Sequence, residues 1–398
     1  MRWMELEIRQ LTEQDYYERM ALSQFAFQMR WTDDQLKQRK QTYLPEQDWG
    51  VFDGANKLMS ALTLLPLEVW VQGKKMAMGG VAGVATWPEA RRQGCVGRLL
   101  SHALETMRNE GQSLSMLHPF SFSFYRKYGY ELTIERKKYA IPTRLLPSRK
   151  ETPGEVRRMA KPDVAVLDAI YSTYASRYNG MLARSADWWT ERALHKEGAA
   201  VVYFNEEGSP EGYVFYDCLD GKMTVHEIVA LDETARTALW TFIANHDSMI
   251  GETTLFAPID DGFPYLLDDP RIGQELIPYF MSRIVDAEAF AKQYAWEQGT
   301  GEESVLLRLE DRHAPWNDGT FRLSWSKEGE GTLERVDGAA DSGADAISCD
   351  IQALTAMLLG GRKPTWLASV GRVSGSAEGL KRLERRIPER TAYLMDFF

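Results

Sequence analysis

Apolar residues in the first part of the chain recur at helical intervals in three places. Residues 11–27 carry one apolar face, and Thr12 is placed to cap the helix that this spacing predicts. Thr32 and Gln35 have the spacing of a capping box, which predicts a second, short helix. A third apolar face ends at Gly111, a residue type that commonly terminates helices.

Around these helices, the pattern changes to the alternation that is typical of strands. Residues 49–86 alternate or run apolar and are interrupted by Asp-Gly and Gly-Lys turns. Residues 114–132 have the pattern of a strand and a short helix that lead to another strand. The first ten residues alternate like a first strand. Residues 1–150 are therefore expected to form one mixed α/β block.

A Pro- and charge-rich segment, residues 141–155, is expected to link this block to a second one. Residues 151–283 repeat the same order of elements. Two helices (164–179 and 185–198) precede three strands, a further helix and a last strand at residues 252–258. Two consecutive blocks of like order indicate a duplicated fold, although their residues show little similarity.

The remaining residues, 284–398, predict a small α+β unit. A helix at 286–298 is followed by a strand at 303–311 and a hairpin at 319–336. Residues 345–361 then have the pattern of a strand, an Asp-capped helix and a glycine stop. The apolar positions of this third block are sufficient only for its own core.

Composition narrows the class of protein further. The 47 basic and 57 acidic residues give a net charge of −10, which argues against a nucleic-acid partner and mildly favours cationic ligands. No apolar run is long enough to span a membrane, and the start lacks the pattern of a signal peptide. The three cysteines and six histidines are scattered, so we expect no metal site, no membrane contact and a cytoplasmic location.

The window of residues 80–100 carries the pattern of an anion-binding site. A strand of small and β-branched residues runs into the turn Arg91-Arg92-Gln93-Gly94 and then into an apolar-faced helix. The first turn of such a helix has free N–H groups and the positive end of the helix dipole. Gly94 permits a close approach of the backbone, and the two arginines suit a pyrophosphate.

This order of strand, basic turn, helix and strand, followed by FYRKYGYEL at 124–132, resembles the GNAT superfamily of acyl-CoA N-acetyltransferases. In that superfamily the strand before the turn bulges, and the pantetheine of acetyl-CoA pairs with its opened edge. The resemblance implies acetyl-CoA as co-substrate, and it implies these cofactor-binding residues: Val84, Ala85, Thr86, Arg92, Gln93, Gly94, Cys95, Val96, Gly97, Phe120 and Ser121. Val96 departs from the superfamily pattern, which has a second small residue there. The second block has Asp232-Glu233-Thr234 where a phosphate turn needs Arg and Gly, so it is not expected to bind CoA.

The plan of the whole chain resembles a narrower group, the Eis family (enhanced intracellular survival acetyltransferases). Residues 226–240 and 281–290 are similar to segments of that family. The resemblance implies an α/β fold with mixed sheets and two tandem GNAT-type domains, residues 1–150 and 151–283. A small sterol-carrier-protein-like α+β domain, residues 284–398, would follow. It also implies a homo-hexamer.

The family pattern assigns two catalytic residues. Tyr125 would be the general acid that protonates the departing CoA thiolate. The main-chain carboxylate of Phe398, which ends the segment TAYLMDFF, would be the general base. Tyr393, Leu394, Phe397 and Phe398 would carry this carboxylate inward, where burial raises its pKa. The simpler interpretation is that the two phenylalanines anchor the third domain.

Other residues near these motifs have competing interpretations. Phe120 could contact the cofactor, but packing is the favoured interpretation. Cys95 lies at a helix start, which could depress a thiol pKa, but we interpret it as incidental. His118 could act as a base, although a buried structural histidine is the favoured interpretation. The acidic pairs at 33–34 and 260–261 could attract cationic substrates, but solvated loop or helix-start charges are the favoured interpretation.

The resemblance implies that the acceptor is a cationic amine, similar to an aminoglycoside or a polyamine, and that more than one nitrogen is modified. Three alternatives share part of this evidence. They are a protein-lysine acetyltransferase, a non-enzymatic lipid or sterol carrier suggested by the third block, and an enzyme with a long-chain acyl donor. The last is suggested because N-myristoyltransferases also pair two GNAT units.

Overall fold

The computed structural model describes residues 6–195, 197–336 and 346–398. Twelve strands of this part form one continuous mixed sheet, in the order β1-β2-β3-β4-β5-β12-β6-β11-β10-β9-β8-β7. Their bounds are β1 (Glu7–Gln10), β2 (Asp48–Phe52), β3 (Leu58–Val71), β4 (Lys74–Thr86), β5 (Leu114–Leu117), β6 (Glu131–Pro142), β7 (Glu155–Arg158), β8 (Ala199–Phe204), β9 (Pro210–Leu219), β10 (Lys222–Ala230), β11 (Glu252–Ala257) and β12 (Gly273–Ile284).

A second sheet of five strands, in the order β15-β14-β13-β16-β17, belongs to the third block. Its strands are β13 (Glu303–Glu310), β14 (Gly319–Trp325), β15 (Gly331–Arg335), β16 (Ile347–Asp350) and β17 (Val373–Ser374). The helices of the described residues are α1 (Tyr16–Ala26), α2 (Asp33–Gln41), α3 (Cys95–Asn109), α4 (Phe122–Arg126), α5 (Val164–Ala175), α6 (Ala186–Trp188), α7 (Glu233–Ala244), α8 (Ala287–Gln293), α9 (Ile351–Leu358), α10 (Pro364–Ser369) and α11 (Ala377–Arg386).

The local signals placed most elements of the first block correctly. The capping box at the start of α2 is confirmed, because the Gln35 N–H donates to Thr32 Oγ1 at 3.3 Å and the Thr32 N–H donates to Gln35 Oε1 at 2.9 Å. Gly111, with φ of 75°, follows α3 as predicted. The expected first strand is observed as β1, and residues 1–5 lie outside the described residues.

Two expectations for the later blocks were wrong in detail. The strand at 252–258 is not the last of the second block, because β12 follows it. The expected helix at 185–198 is the short α6 continued by one wider turn at 189–193, and Lys196 lies outside the described residues. The third block also contains α10, β17 and α11, which the sequence pattern did not reveal.

The two GNAT-like blocks exchange their last strands. The order β1 to β5 in the first block corresponds to β7 to β11 in the second, and each run ends in a parallel pair, β4 with β5 and β10 with β11. Beyond β5 lies β12, which comes from the second block, and beyond β11 lies β6, which comes from the first. β12 and β6 pair with each other at the centre of the sheet. Each block is therefore completed by a strand of the other.

Strand β12 also fixes the position of the third block. Arg283 on β12 is fully buried, and its guanidinium forms a salt bridge of 2.6 Å with the buried carboxylate of Asp311. The same guanidinium donates to the main-chain oxygen of Tyr128 in the first block. The Ile284 N–H donates to Thr355 Oγ1 on α9 at 3.1 Å. These contacts join all three blocks into one body.

Within the part of the chain that the structure describes, no helix is both long enough and apolar enough to cross a membrane.

The exchange of strands predicts that the first block cannot fold alone. A fragment of residues 1–150 would leave β5 and β6 without the strand that separates them, and exposed strand edges associate. Gel filtration and circular dichroism should show an aggregated or unfolded fragment, whereas the full-length chain, which supplies β12, should be folded. A monomeric fragment 1–150 with a cooperative unfolding transition would contradict the prediction.

Candidate active site

A β-bulge interrupts β4 shortly before its end. The register between β3 and β4 shifts so that Gly83 and Val84 lie opposite the single residue Leu62. Gly83 has φ of 58°, a left-handed conformation that glycine adopts at little cost. Such a bulge bends its strand and increases the local twist. The end of β4 is therefore turned away from the plane of the sheet.

The buried Arg19 of α1 holds this bulge in place. Its guanidinium donates to the main-chain oxygen of Gly83 at 3.1 Å and lies 3.3 Å from the carboxylate of Asp48. Arg19 was not predicted to be a site residue. Its position could have indicated a role, because it lies three residues from both Tyr16 and Leu22 on the buried face of α1. An arginine on an apolar helix face requires buried partners, and here they are a carboxylate and the bulge.

Strands β4 and β5 separate just before the bulge. The last parallel pair that the register gives is Val81 with Leu117, where β5 ends, whereas β4 continues to Thr86. The Trp87 N–H donates to the Met59 oxygen of β3 at 3.1 Å. Because N–H groups alternate in direction along a strand, the N–H of Thr86 points away from β3, to the opened side. This edge can accept an extended ligand as if it were another strand.

Val84, Ala85 and Thr86 were predicted to bind the cofactor, and their N–H groups differ in orientation. Val84 lies in the bulge, and the same alternation turns the Ala85 N–H towards β3. The Ser60 hydroxyl donates to the Ala85 oxygen at 2.9 Å, which agrees with that direction. Among the three, Thr86 is the residue whose N–H the geometry directs to the opened edge.

The turn before α3 leaves the start of this helix open. Gly94 is the N-cap with φ of 81°, and a Cβ added there would meet no atom within 4 Å. The N–H groups of the first helical turn, at residues 95–97, have no partner within the helix. Arg91 and Arg92 are exposed beside them, and the Gln93 side chain closes the turn by donating to the Glu89 oxygen at 2.9 Å. A phosphate group could bind here through N–H groups and arginines.

Two predicted residues of this turn have structural roles as well. A Cβ added at Gly97 would lie 3.0 Å from the Tyr128 hydroxyl, so glycine lets α3 pack closely on the segment after α4. Cys95 is buried, and burial raises the pKa of its thiol. The thiol is therefore not activated by the helix start, in agreement with our interpretation of it as incidental.

The corresponding helix of the second block begins in the opposite way. Asp232 is the N-cap of α7, and its carboxylate accepts the N–H of Ala235 at 2.8 Å. This carboxylate occupies the helix start with a negative charge of its own, which repels phosphate. The second block therefore lacks a phosphate-binding turn, although β10 also has a bulge beside Glu227.

Tyr125 lies on α4 and packs into the core below the opened edge. It is 3% exposed, and burial raises the pKa of its hydroxyl above the ordinary value. Ser121 is the N-cap of α4, because its hydroxyl accepts the Phe124 N–H at 3.3 Å. Phe120 is 71% exposed, with its ring centroid 5.3 Å from that of Tyr125. Phe120 is therefore not a core residue, and the packing interpretation is wrong.

The C-terminal segment runs as an extended chain into the second block. The Tyr393 N–H donates to the Asn179 oxygen, and the Asn179 N–H donates to the Thr391 oxygen, both at 2.9 Å. Further on, the Tyr279 hydroxyl donates to the main-chain oxygen of Asp396 at 2.7 Å. The backbone of the segment is thus held by hydrogen bonds to Asn179 and to the side chain of Tyr279.

A buried ionic network anchors the same segment. The Asp396 carboxylate accepts from Arg184 Nε at 2.9 Å, from Trp188 Nε1 at 2.8 Å and from the Tyr171 hydroxyl at 3.2 Å. Arg184 also pairs with Glu227, at 2.5 Å. Removal of one member would leave uncompensated buried charge, which typically costs about 3–5 kcal/mol. The position of the segment is therefore strongly determined.

The last two residues point in different directions. Phe398 is 7% exposed, its ring centroid lies 4.9 Å from that of Phe280, and a Cβ added at Gly80 of β4 would lie 2.9 Å from its ring. Phe397 is 61% exposed. The expectation that both phenylalanines point inward was therefore wrong for Phe397.

A cleft of about 480 Å³ lies between the first two blocks and the C-terminal segment. It is lined by His118, Arg136, Trp188, Arg192, Ala193, Thr224, Val225, His226, Glu227, Phe256, Tyr279, Tyr393, Met395, Asp396 and Phe397. His118 directly follows β5, so the cleft adjoins the opened edge.

His118 is exposed on the wall of this cleft, which makes the interpretation as a buried structural histidine wrong. Its ring centroid lies 5.0 Å from that of Phe397. Partial burial and the charge of Arg136 lower the pKa of His118, so its imidazole is neutral at pH 7.

The acidic pairs that could have attracted cations lie elsewhere. Asp33 and Asp34 are exposed in the first turn of α2. Asp260 accepts the Thr391 hydroxyl at 2.6 Å, and Asp261 accepts the Tyr139 hydroxyl at 3.0 Å. These contacts fit structural roles better than attraction of a substrate.

Comparisons with known proteins agree with this architecture. A family described as Acetyltransferase (GNAT) domain matches residues 7–133, a second family of the same description matches 180–284, and Sterol carrier protein domain matches 287–395. The predicted order of two tandem GNAT-type domains and a sterol-carrier-like α+β domain is confirmed.

Similar proteins match along nearly the whole chain. An uncharacterized N-acetyltransferase of Streptomyces avermitilis is 23% identical over 374 residues, which cover 87% of either chain. The crystal structure of a probable N-acyltransferase from Enterococcus faecalis is 28% identical with a TM-score of 0.91, and it covers 99% of this chain and 100% of that one. Eis1 from Mycobacterium abscessus, at 21% identity, shares the fold with a TM-score of 0.81 over 99% of this chain and 100% of that one. The chain therefore contains two GNAT acetyltransferase domains followed by a sterol-carrier-like domain, and it is an acyltransferase.

Proposed function

We propose that this protein transfers the acetyl group of acetyl-CoA directly to an amine of a small molecule bound in the cleft. The proposal rests on the position of three features at one end of the first block. The opened edge of β4, the uncapped start of α3 and the wall of the cleft at His118 lie at the same end of the strands. The cofactor and the acceptor would therefore meet where β4 and β5 separate.

The cofactor would bind through backbone groups and two arginines. The pantetheine would pair with the edge of β4, and the pyrophosphate would accept the N–H groups at the start of α3. Arg91 and Arg92 would offset its negative charge. The Thr86 N–H is the donor proposed for the oxyanion of the tetrahedral intermediate, because it points to the opened side.

Tyr125 is proposed as the general acid. Because burial raises its pKa, the phenol remains protonated at every pH at which the enzyme would work. A raised pKa also makes the phenol a weaker donor. The same apolar surroundings raise the basicity of the leaving thiolate, which compensates in part.

The carboxylate of Phe398 is proposed as the general base. Its side chain packs on Gly80 of β4, three residues before the bulge, which supports a position of the terminal carboxylate near the proposed site of transfer. A carboxylate there would also attract an ammonium ion before taking its proton. This assignment requires Phe398 to be the last residue of the mature protein, which its mass reports. His118, with its lowered pKa, is the rival base.

For the acceptor, we propose an aminoglycoside- or polyamine-like amine with more than one modified nitrogen. The support is the resemblance to the Eis family and the shared fold of Eis1 from Mycobacterium abscessus. A homo-hexamer is proposed on the resemblance alone, and a cytoplasmic location is proposed because the three scattered cysteines suit a reducing compartment. The non-enzymatic carrier is not retained, because acetyltransferase domains make up the first two blocks.

Release of free thiol from acetyl-CoA in the presence of an amine panel tests this function most simply. Aminoglycosides, diamines and lysine-containing peptides should be compared, with mass spectra of the products. Transfer to small amines supports the proposal, and transfer to peptides alone would favour the protein-lysine alternative. Thiol release from a long-chain acyl-CoA, but not from acetyl-CoA, would show that the acyl donor is a long-chain acyl-CoA.

The start of α3 predicts one acetyl-CoA site per chain that depends on Gly94. Gly94→Asp should weaken binding at least a hundredfold in calorimetry, because a carboxylate would face the pyrophosphate. Gly111→Asp is the matched control at the other end of α3, since Gly111 also has positive φ and open surroundings. Two sites per chain, or equal effects of the two variants, would refute the assignment.

Loss of the Tyr125 hydroxyl should affect turnover and not cofactor binding. Tyr125→Phe should lower kcat about a hundredfold, within the usual range for a general acid, and leave the KM for acetyl-CoA nearly unchanged. Because the pKa of Tyr125 is raised, the wild-type rate should show no loss from its ionisation below about pH 10. Tyr128→Phe serves as the control. Near-normal kcat in Tyr125→Phe would exclude the role.

The terminal carboxylate can be moved without changing either ring. One glycine appended after Phe398 displaces it by about 3.5 Å, and kcat should fall at least tenfold while acetyl-CoA affinity stays the same. Phe398→Leu keeps the carboxylate and should retain most of the activity. If the extended chain turns over normally, the phenylalanines only anchor the segment, and His118 becomes the base to test.

A further inference from the structure

The cleft contains an arginine that no carboxylate of the described residues neutralises. Arg136 extends from β6 into the cleft. Burial lowers the pKa of Arg136, Tyr279 and Tyr393 oppose that shift, and the Nε atom is buried without a hydrogen-bond partner. A cation in a partly enclosed cleft with an unsatisfied donor is costly unless something completes it. Arg136 is therefore available to bind a ligand.

Two aromatic rings hold the Arg136 guanidinium in a defined plane. Its central carbon lies 3.5 Å from the ring centroid of Tyr279 and 3.8 Å from that of Phe256. Tyr279 belongs to β12 and Phe256 to β11, the strands on either side of β6, so the rings approach from opposite sides. With both faces covered, the edge of the guanidinium is what remains for a ligand. That edge matches a planar carboxylate, which can accept two parallel N–H groups.

The acidic side chains of the cleft do not supply such a carboxylate. Glu227 and Asp396 line the cleft, but both are bound by the buried Arg184. Arg192 adds another cation to the cleft, and burial together with the nearby charge of Arg39 lowers its pKa. The side chains of this wall therefore do not favour a substrate that carries positive charge alone.

We propose that the acceptor carries a carboxylate that binds Arg136, in addition to the amine that is acetylated. This rests on the proposed function, in which the cleft holds the acceptor. It narrows the acceptor class from aminoglycoside- or polyamine-like amines in general to amines that also bear a carboxylate, such as diamino acids. The carboxylate would be held at Arg136 on β6, while the terminal carboxylate would receive the amine.

The competing explanation is that Arg136 only braces the rings of Tyr279 and Phe256. Both explanations allow a loss of stability when Arg136 is changed. They differ in selectivity, because a brace affects all acceptors equally, whereas a carboxylate-binding arginine affects only acceptors that carry the carboxylate. The test must therefore compare acceptors that differ in this one group.

Ornithine with putrescine, and lysine with cadaverine, are pairs that differ only by the carboxylate. With the full-length wild-type protein, kcat/KM should be at least tenfold higher for each amino acid than for its decarboxylated partner. Arg136→Met should abolish this preference through the KM for the amino acid, with the rates for putrescine and cadaverine within about threefold of wild type. Arg136→Lys should restore part of it. Arg308→Met removes an exposed arginine of β13 and should change nothing.

The outcomes separate this inference from the function on which it rests. If none of the amines in the panel gives thiol release, the proposed function itself is refuted. Transfer that is equally fast with and without the carboxylate, or a preference that survives in a folded Arg136→Met, would overturn the role of Arg136 alone. Melting temperature and acetyl-CoA affinity of each variant establish that it is folded. If Arg136→Met does not fold, the preference for the amino acid over its decarboxylated partner is compared between Arg136→Lys and the wild type. That comparison then decides between the two explanations.

Discussion

The pairing of β12 with β5 and β6 is the contact on which both the cofactor edge and the cleft depend. It closes the first block with a strand of the second, and β6 closes the second block in return. Because β12 abuts β5, the separation of β4 from β5 is confined to the end where β5 stops. Because β6 lies between β12 and β11, Arg136 projects between rings of both neighbours. The acceptor cleft is thus a product of the exchange and not a property of either block.

The two blocks show how one fold can keep or lose a cofactor site through a single helix cap. Both have a parallel strand pair and a bulge in the strand before the helix. In the first block the cap is Gly94, which leaves the helix start open, and in the second it is Asp232, which fills it with a carboxylate. The edge of the second block, at residues 224–227, instead contributes to the wall of the cleft against the C-terminal segment.

The features that are encoded locally could be predicted from the sequence. The capping box of α2, the turn at Gly94 and the lack of Arg and Gly at residues 232–234 each depend on residues within one helical turn, so their pattern is visible in the sequence. The partner of β12 could not be predicted in this way, because alternation shows that a strand has a buried face but not which strand it joins. Arg19 and Arg136 were missed for the same reason, since their roles depend on contacts with distant strands. The orientation of Phe397 depended on the network around Asp396, whose hydrogen bonds join residues more than 200 positions apart.

Hydrogen exchange of backbone amides with and without saturating acetyl-CoA tests the central claim, that one of two similarly opened strand ends is the cofactor site. The account predicts slower exchange at residues 84–86 and 95–98, and unchanged exchange at the corresponding residues 227–235 of the second block. Slower exchange at 227–235, or no change at 84–86 while acetyl-CoA is bound, would contradict it.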